Sequence, residues 1–415
     1  MVIKMYEVIV EKLDHQGRGI SHAGDKIVFI ENALPGETVK IKITKQNKKI
    51  MEAIVIDYIN KSDCRVDSLC PYYNECGGCD ILHLSYEQQT QYKENKIKEI
   101  MNKYANIEND KIKQIVPCDQ QYNYRNKVTL KVNHKIGYYK KKSYDIVEIE
   151  NCLLANNKIN NAILEIKKNH VPECIKELVI RSVNEEDISL TIYLQKEENI
   201  NNFINKLEKH FTSIKVYLND KILKQTGESN IIGRLDNFSF QMSQTAFFQV
   251  NTAQTEKLYN KVKEYIKTNV SPTVLDLYCG TGTIGIYISD YAKKVIGIEI
   301  NSDAIADAKV NAEKNGVMNI DFFDGDTKEL LNHGNYKADV IIVDPPRSGL
   351  DQEVVTDIIK INPKEIVYVS CDPITLARDL KLFNEKYKVV EITPFDMFPN
   401  TYHVECVVLL RKIKI

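Results

Sequence analysis

Over the first 58 residues apolar and polar positions alternate in short runs: "YEVIVEKL", "KIVFIENAL", "TVKIKIT" and "MEAIVIDYI", separated by "DHQGRG", "PGE" and "KQNKK". That spacing predicts a small all-β, OB-like barrel, a shape that often binds nucleic acids. At residues 85–104, "SYEQQTQYKENKIKEIMNKY", the period becomes helical, with Ile97, Ile100, Met101 and Tyr104 on one face and a capping box available to Ser85 and Gln88. Residues 112 to about 240 mix short strands ("VTLKV", "DIVEI", "LVIRSV", "ISLTIYL") with polar helical stretches, an α+β segment whose topology the pattern leaves open. From about 250 onward a helix at 251–267 is followed by "TVLDLY", "KVIGIEI", "NIDFF", "ADVIIVD", "EIVYVS", "VVEITP" and "VECVVLLRKI". Buried strands alternating with helices predict an α/β, doubly wound, mostly parallel sheet. The expected division is a barrel at 1–58, a central α+β domain from 59–84 and 112–247, a helix at 85–111 packed on the last domain, and the α/β domain at 248–415.

Composition narrows the setting. No run of about 18 apolar residues occurs, and the N-terminus "MVIKMYEVIVEKLDHQG" has no uninterrupted apolar core. A cytoplasmic protein with reduced thiols and no membrane contact is expected, which demotes disulfides as the use of its 10 cysteines. With 56 basic and 57 acidic residues the chain has no overall cationic excess, so nucleic-acid binding must come from local patches. Residues 39–50, "VKIKITKQNKKI", and 120–143, "QQYNYRNKVTLKVNHKIGYYKKKS", carry cations and no acid. A solvated strand face is the plain reading of such runs. Tyr122, Tyr124, Tyr138 and Tyr139 turn the second toward RNA, because bases stack on rings while cations meet phosphates.

The strongest local motif is "VLDLYCGTGTIG" at 274–285, placed between a strand and a helix. Gly280, Gly282 and Gly285 have the spacing for a tight turn, a close backbone approach to a ligand, and close packing of helix on strand. The motif alone admits a nicotinamide dinucleotide as readily as S-adenosylmethionine. Asp276 inside the strand could hold the turn backbone or the donor's amino group, Glu299 at the end of the next strand could bind two ribose hydroxyls, and Asp326 could meet an adenine amino group. With Asp344 at the end of the fourth strand, these acids favour the methyl donor, although any one of them could serve only as a cap.

"IIVDPPRSG" and "VYVSCDP" end the fourth and fifth strands, so Cys371 emerges from a buried strand into the same crevice. A lone strand cysteine is ordinarily a small core residue. Beside a methyl donor a thiol has a specific use: added to C6 of uracil, it makes C5 an enolate carbon able to take a methyl group. The C5 proton must then leave so that the thiol can be eliminated. Glu405, at the start of the last strand, is assigned that proton, with His403 the next candidate.

Read together, "FFQVN" at 247–251, "DLYCGTG", "DPPRSGL", "VSCDP" and "DMFPNTYHVE" resemble, in order and spacing, the motifs of the RNA uracil-5 methyltransferases, and the likeness spans essentially the whole chain. The barrel, with "GRGI" and "LPGE", looks like that family's TRAM domain. The resemblance implies a Rossmann-like class I methyltransferase domain with Cys371 as nucleophile and Glu405 as base. It implies a donor site lined by Gln249, Tyr278, Thr283, Glu299, Asp326 and Asp344. Asp372 stands where many members have Asn, and Thr283 where some do.

The cysteines of "CPYYNECGGC" at 70–79 admit two metal readings by spacing: a zinc site from Cys64, Cys70, Cys76 and Cys79, or an iron-sulfur cluster. Side-chain-free amides at Gly77 and Gly78 could reach inorganic sulfide, which favours the cluster. The resemblance implies a 4Fe-4S cluster on Cys70, Cys76, Cys79 and Cys152, with Cys64 left over, in a structural role beside the basic "YNYRNK" stretch. It further implies the branch acting on 23S ribosomal RNA, because the transfer-RNA branch typically lacks both TRAM domain and cysteine cluster. RNA is then the partner, and no obligate protein partner is evident. The competing readings are the same chemistry on tRNA, a nicotinamide oxidoreductase with the cysteines as an electron relay, and an RNA-binding protein with a dead site, which intact Cys371, Asp344 and Glu405 oppose.

Overall fold

The computed structural model describes residues 5–184, 186–228, 230–243, 247–334 and 336–414. Six strands form the N-terminal unit: β1 (Met5–Ile9), β2 (Lys12–Leu13), β3 (Gly19–Ala23), β4 (Lys26–Glu31), β5 (Thr38–Gln46) and β6 (Ile50–Asn60), in the order β1-β5-β6-β4-β3-β2. Val8, Val10, Val28, Ile30, Val39, Ile41 and Ala53 close its core. Strand β3 falls in part where the apolar pattern suggests a loop. Its inward positions are Gly19 and Ser21, too small and polar to give an apolar signal, and Ser21 Oγ donates to the Ile9 carbonyl at 2.7 Å.

Helix α1 (Tyr86–Ala105) follows the cysteine segment. Ser85 is its N-cap residue but makes no side-chain cap bond, so the expected capping box does not form; its carbonyl accepts from the Gln89 amide. Ile97, Ile100 and Met101 are buried with Leu376, Leu380 and Phe383, which binds α1 to the C-terminal domain. Tyr104, expected on the same face, is 44 % exposed.

The central domain is a mixed seven-stranded sheet. It comprises β7 (Lys127–Asn133), β8 (Lys135–Tyr139), β9 (Ile146–Glu148), helix α2 (Asn157–Lys167), β10 (Ile175–Arg181), β11 (Ser189–Leu194), helix α3 (Asn201–Leu207), β12 (Ser213–Leu218) and β13 (Lys221–Gly227). The strand order is β13-β12-β11-β10-β7-β8-β9, with only β11 and β12 parallel. A hairpin, β14 (Ile231–Leu235) and β15 (Phe238–Met242), then leads into α4 (Thr252–Lys267).

The C-terminal domain runs β16 (Thr273–Leu277), α5 (Thr283–Ile288), β17 (Lys294–Glu299), α6 (Ser302–Lys314), β18 (Ile320–Asp324), α7 (Thr327–His333), β19 (Val340–Val343), α8 (Gln352–Ile361), β20 (Glu365–Ser370), α9 (Pro373–Phe383), β21 (Tyr387–Phe395) and β22 (Glu405–Lys412). Its sheet order, β18-β17-β16-β19-β20-β22-β21, is parallel except for β22, which is antiparallel to both neighbours. The order reverses beside β16, and such a switch point opens a crevice at the strands' carboxyl ends. The free edge of β15 is covered by α6: Asn311 and Asn315, four residues apart, each donate to and accept from the backbone of Gln241 and Ser239. No helix among the described residues is long and apolar enough to cross a membrane.

The second basic run divides once folded. Tyr124 and Tyr138 turn inward, Tyr124 donating to the Pro399 carbonyl at 3.1 Å. Lys131 pairs with Glu177, Lys140 with Glu75, and Lys142 with both Glu31 and Glu52. Lys131, Tyr138, Tyr139, Lys140, Lys141 and Lys142 nevertheless all line a cleft of about 660 Å³ shared with Arg18, Asn32 and Tyr402.

Candidate active site

The turn after β16 begins with Tyr278 at φ 63°, followed by Gly280 at 54° and Gly282 at 76°. All three lie in the left-handed region, which costs a tyrosine and favours glycine. A Cβ on Gly280 would meet nothing within 4 Å, whereas one on Gly282 would lie 2.6 Å from the Phe322 ring. Open space for a ligand therefore adjoins Gly280, where only the tight turn was expected, while Gly282, expected to approach the ligand, serves packing as Gly285 does. Glu299 closes the turn, accepting from the Gly280 amide at 3.1 Å and the Asn301 amide at 2.9 Å. Asp326 caps α7 through the Glu329 amide, and Thr283 Oγ1 lies 2.9 Å from the Tyr259 hydroxyl. Gln249 is half-buried and its carbonyl accepts from Asn126.

Asp276 is fully buried and faces the Gly285 amide in the first turn of α5, without a well-formed hydrogen bond to either carboxyl oxygen among the described residues. Burial, with the Asp344 charge second, raises its pKa to about 8.

Cys371 is the first residue after β20, half-buried, and Asp372 caps α9 beside it through the amides of Ile374 and Thr375. Asparagine can make the same cap, which accounts for that interchange. Burial raises the Cys371 thiol to about 12, and the Glu405 and Asp344 carboxylates add to the rise while Arg347 opposes it. Glu405 opens β22 and is only 4 % exposed. Burial and then Asp344 hold it up at about 8, and Asp344 itself is raised by burial to about 7. The structure thus gathers a thiol, two carboxyl groups and a guanidinium at the ends of β19, β20 and β22. His403 is pushed down to about 3 by burial and the nearby cations, so its imidazole is neutral. Arg347, quoted within "DPPRSG" but given no role by sequence, bears on Cys371, Glu405 and His403.

Residues 85–413 match the family described as tRNA (Uracil-5-)-methyltransferase, and residues 1–56 match the TRAM domain. The chain belongs to the RNA uracil-5 methyltransferases. An uncharacterised RNA methyltransferase of Clostridium acetobutylicum is 35 % identical over 98 % of this chain and 97 % of its own length, and one of Bacillus cereus is 34 % identical over 98 % and 96 %. Among solved structures, Pyrococcus abyssi tRNA (uracil-54, C5)-methyltransferase in complex with S-adenosyl-L-homocysteine superposes with TM-score 0.81 at 29 % identity, covering 97 % of this chain and 99 % of that one. The family uses S-adenosylmethionine, and the nicotinamide oxidoreductase reading falls.

Cys70, Cys76, Cys79 and Cys152 line one cavity of about 70 Å³ with Leu82, Tyr138, Ile149 and Leu154. Cys64 instead packs with Leu34, Ile81 and Leu84 and lines a separate cavity beside α1, which removes it from any shared zinc site. Gly78 directs its amide at Cys76 Sγ, 3.4 Å away, whereas the Gly77 amide is taken by the Tyr139 carbonyl. Arg125 also lines the cavity, and its buried Nε has no hydrogen-bond partner among the described residues. Among those residues no group of three or more His, Cys, Asp or Glu side chains is arranged to hold a metal ion.

Proposed function

We propose that the protein methylates C5 of a uridine in structured RNA, with 23S ribosomal RNA the first substrate to test. The observation that carries the chemistry is the meeting of Cys371, Glu405, Asp344 and Arg347 at the carboxyl ends of β19 and β20 and the start of β22, where the Asp344 amide reaches the Leu277 carbonyl at the end of β16. Bound there, S-adenosylmethionine supplies an electrophilic methyl on a positively charged sulfur. We assign the donor to Glu299, Tyr278, Thr283 and Asp326, on and beside the turn, together with Gln249, and its amino group to the buried Asp276 carboxyl. Arg347 offsets part of the burial that holds Cys371 as a thiol; once the thiol proton has left to solvent, the thiolate adds to C6, and after methyl transfer Glu405 takes the C5 proton, the C5–C6 double bond re-forms, and the thiolate leaves. A Glu405 pKa near 8 places one less anion beside the thiolate at neutral pH, while keeping the ionised base accessible.

We carry the iron-sulfur cluster as part of the same reading. The four thiols line one apolar cavity, although they are not drawn together as a single-ion site, and the orphaned Arg125 Nε suits an anionic cluster. Cys70, Cys76, Cys79 and Cys152 would hold it. Anaerobically purified protein should contain near-equal iron and sulfide, lost in Cys152→Ser; zinc without sulfide overturns this.

Transfer RNA is the second reading, favoured by the Pyrococcus likeness, which runs through the N-terminal unit and so weakens the use of a TRAM domain to separate the branches. Incubation with labelled S-adenosylmethionine and unmodified 23S and transfer RNA, followed by mapping of the product, decides between them. Label in neither refutes the proposed activity.

A further inference from the structure

The segment between β21 and β22 carries no regular structure, yet it leads directly into Glu405, and its backbone is gripped along nearly its whole length. Asn251 donates to the Met397 carbonyl at 3.0 Å, Lys93 to Phe398 at 3.0 Å, Tyr124 to Pro399 at 3.1 Å and Lys96 to Tyr402 at 3.0 Å. Asn400 sits in the middle, 1 % exposed, at φ 69°. Its carbonyl accepts from the amides of Asp80 and Ile81 at 3.0 and 3.2 Å, immediately after Cys79. Its side-chain oxygen accepts from Gln89 Nε2 at 3.1 Å and its own amide donates to Gln89 Oε1 at 2.9 Å, a reciprocal pair with α1. Its Nδ2 donates to the Gln121 carbonyl at 2.8 Å.

Every polar group of Asn400 is therefore engaged, and the partners come from three places: the cysteine-bearing segment, α1, and the loop entering the central domain. A residue held this completely is over-determined for ordinary loop closure. None of these partners contacts donor or substrate groups as assigned above. We propose that Asn400, with Gln89, is a positioning residue through which the N-terminal elements fix Glu405 for removal of the C5 proton. The inference rests on the proposed role of Glu405. Asparagine suits the place twice, tolerating the left-handed backbone and offering both a donor and an acceptor in the side chain. The device acts on the last step: with Glu405 displaced, Cys371 still adds to C6 and the methyl still moves, but the proton stays on C5 and the Cys371–C6 bond cannot break.

Asn400→Gly tests this, because glycine keeps the backbone conformation and removes only the amide; Gln89→Ala removes the same pair from the other side. Both variants, the wild type and Glu405→Gln are incubated with S-adenosylmethionine and substrate RNA, and covalent methylated adduct is measured under denaturing conditions beside S-adenosylhomocysteine affinity. Asn400→Gly and Gln89→Ala are expected to accumulate adduct and to slow product release, by on the order of 100-fold for Asn400→Gly, a size typical of a misplaced catalytic group. Donor affinity and single-turnover methyl transfer stay unchanged. If Glu405→Gln accumulates adduct while Asn400→Gly and Gln89→Ala release product at the wild-type rate, or lose donor binding and adduct together, the positioning role is overturned and the base assignment stands. If Glu405→Gln itself accumulates none, both fall.

Discussion

Replacing Glu405 by glutamine should stabilise the protein, and increasingly so as pH rises. The folded chain holds this carboxyl at about 8 against an ordinary 4.5. Below about pH 4.5 it is protonated in folded and unfolded chains alike and costs nothing. Between 4.5 and about 8 the unfolded chain releases the proton and the folded one keeps it, so stability falls as pH rises. A rise of about 3.5 pH units at roughly 1.4 kcal/mol each gives about 5 kcal/mol once both forms are ionised. That is an upper value, because water and the surrounding groups relax around a buried carboxylate once it ionises. Glutamine has no proton to lose. For a domain of roughly 150–250 residues the gain corresponds to about 10–20 °C in melting temperature at most. Melting curves of wild type and Glu405→Gln at about pH 5 and about pH 9 should nearly coincide at the lower pH and separate at the higher, the variant melting later. Equal separations at the two pH values, or an earlier-melting variant at pH 9, would refute the buried, proton-retaining Glu405.

Other tests address the rest of the structure. Lys93 and Asp396, both fully buried and 2.5 Å apart, join α1 to the catalytic segment, so Lys93→Met should cost about 3–5 kcal/mol by calorimetry, with partial recovery in Lys93→Met/Asp396→Asn. Product release should rise with pH toward about 8 as Glu405 ionises, a dependence that stopped-flow release assays can follow. Lys45, Lys48 and Lys49 have no ion pair among the described residues, whereas Lys142 has two carboxylate partners. Neutralising the first three should lower the salt slope of RNA binding by up to about 0.9 for each phosphate they neutralise, and Lys142→Gln should change it less.

The sheet of the C-terminal domain was legible because its strands are buried on both faces and read as continuous apolar runs, as in Val340–Val343 and Glu365–Ser370. The approximate place of Cys371 and Glu405 followed from the ends of such runs. Strand β3 was partly hidden by Gly19 and Ser21, and the α6 cover on β15 by asparagines that carry no apolar signal. Ser85 and Gln88 had the letters of a capping box, but Gln89 turns back to Leu84 and Asn400 instead. Partners more than 300 residues apart, Lys93 with Asp396 and Gln89 with Asn400, have no local sequence signature. The basic run at 120–143 misled in part, because charge composition does not reveal that Lys131, Lys140 and Lys142 meet acids from other strands and loops.

Covalent catalysis through Cys371 with Glu405 as base is tested most directly by mass analysis of the RNA–protein product formed by Glu405→Gln under denaturing conditions. The expected product is an adduct between Cys371 and a uridine bearing one added methyl, dependent on S-adenosylmethionine and absent from Cys371→Ala/Glu405→Gln. Release of free 5-methyluridine-containing RNA by Glu405→Gln at the wild-type rate, or appreciable turnover by Cys371→Ala, would contradict it.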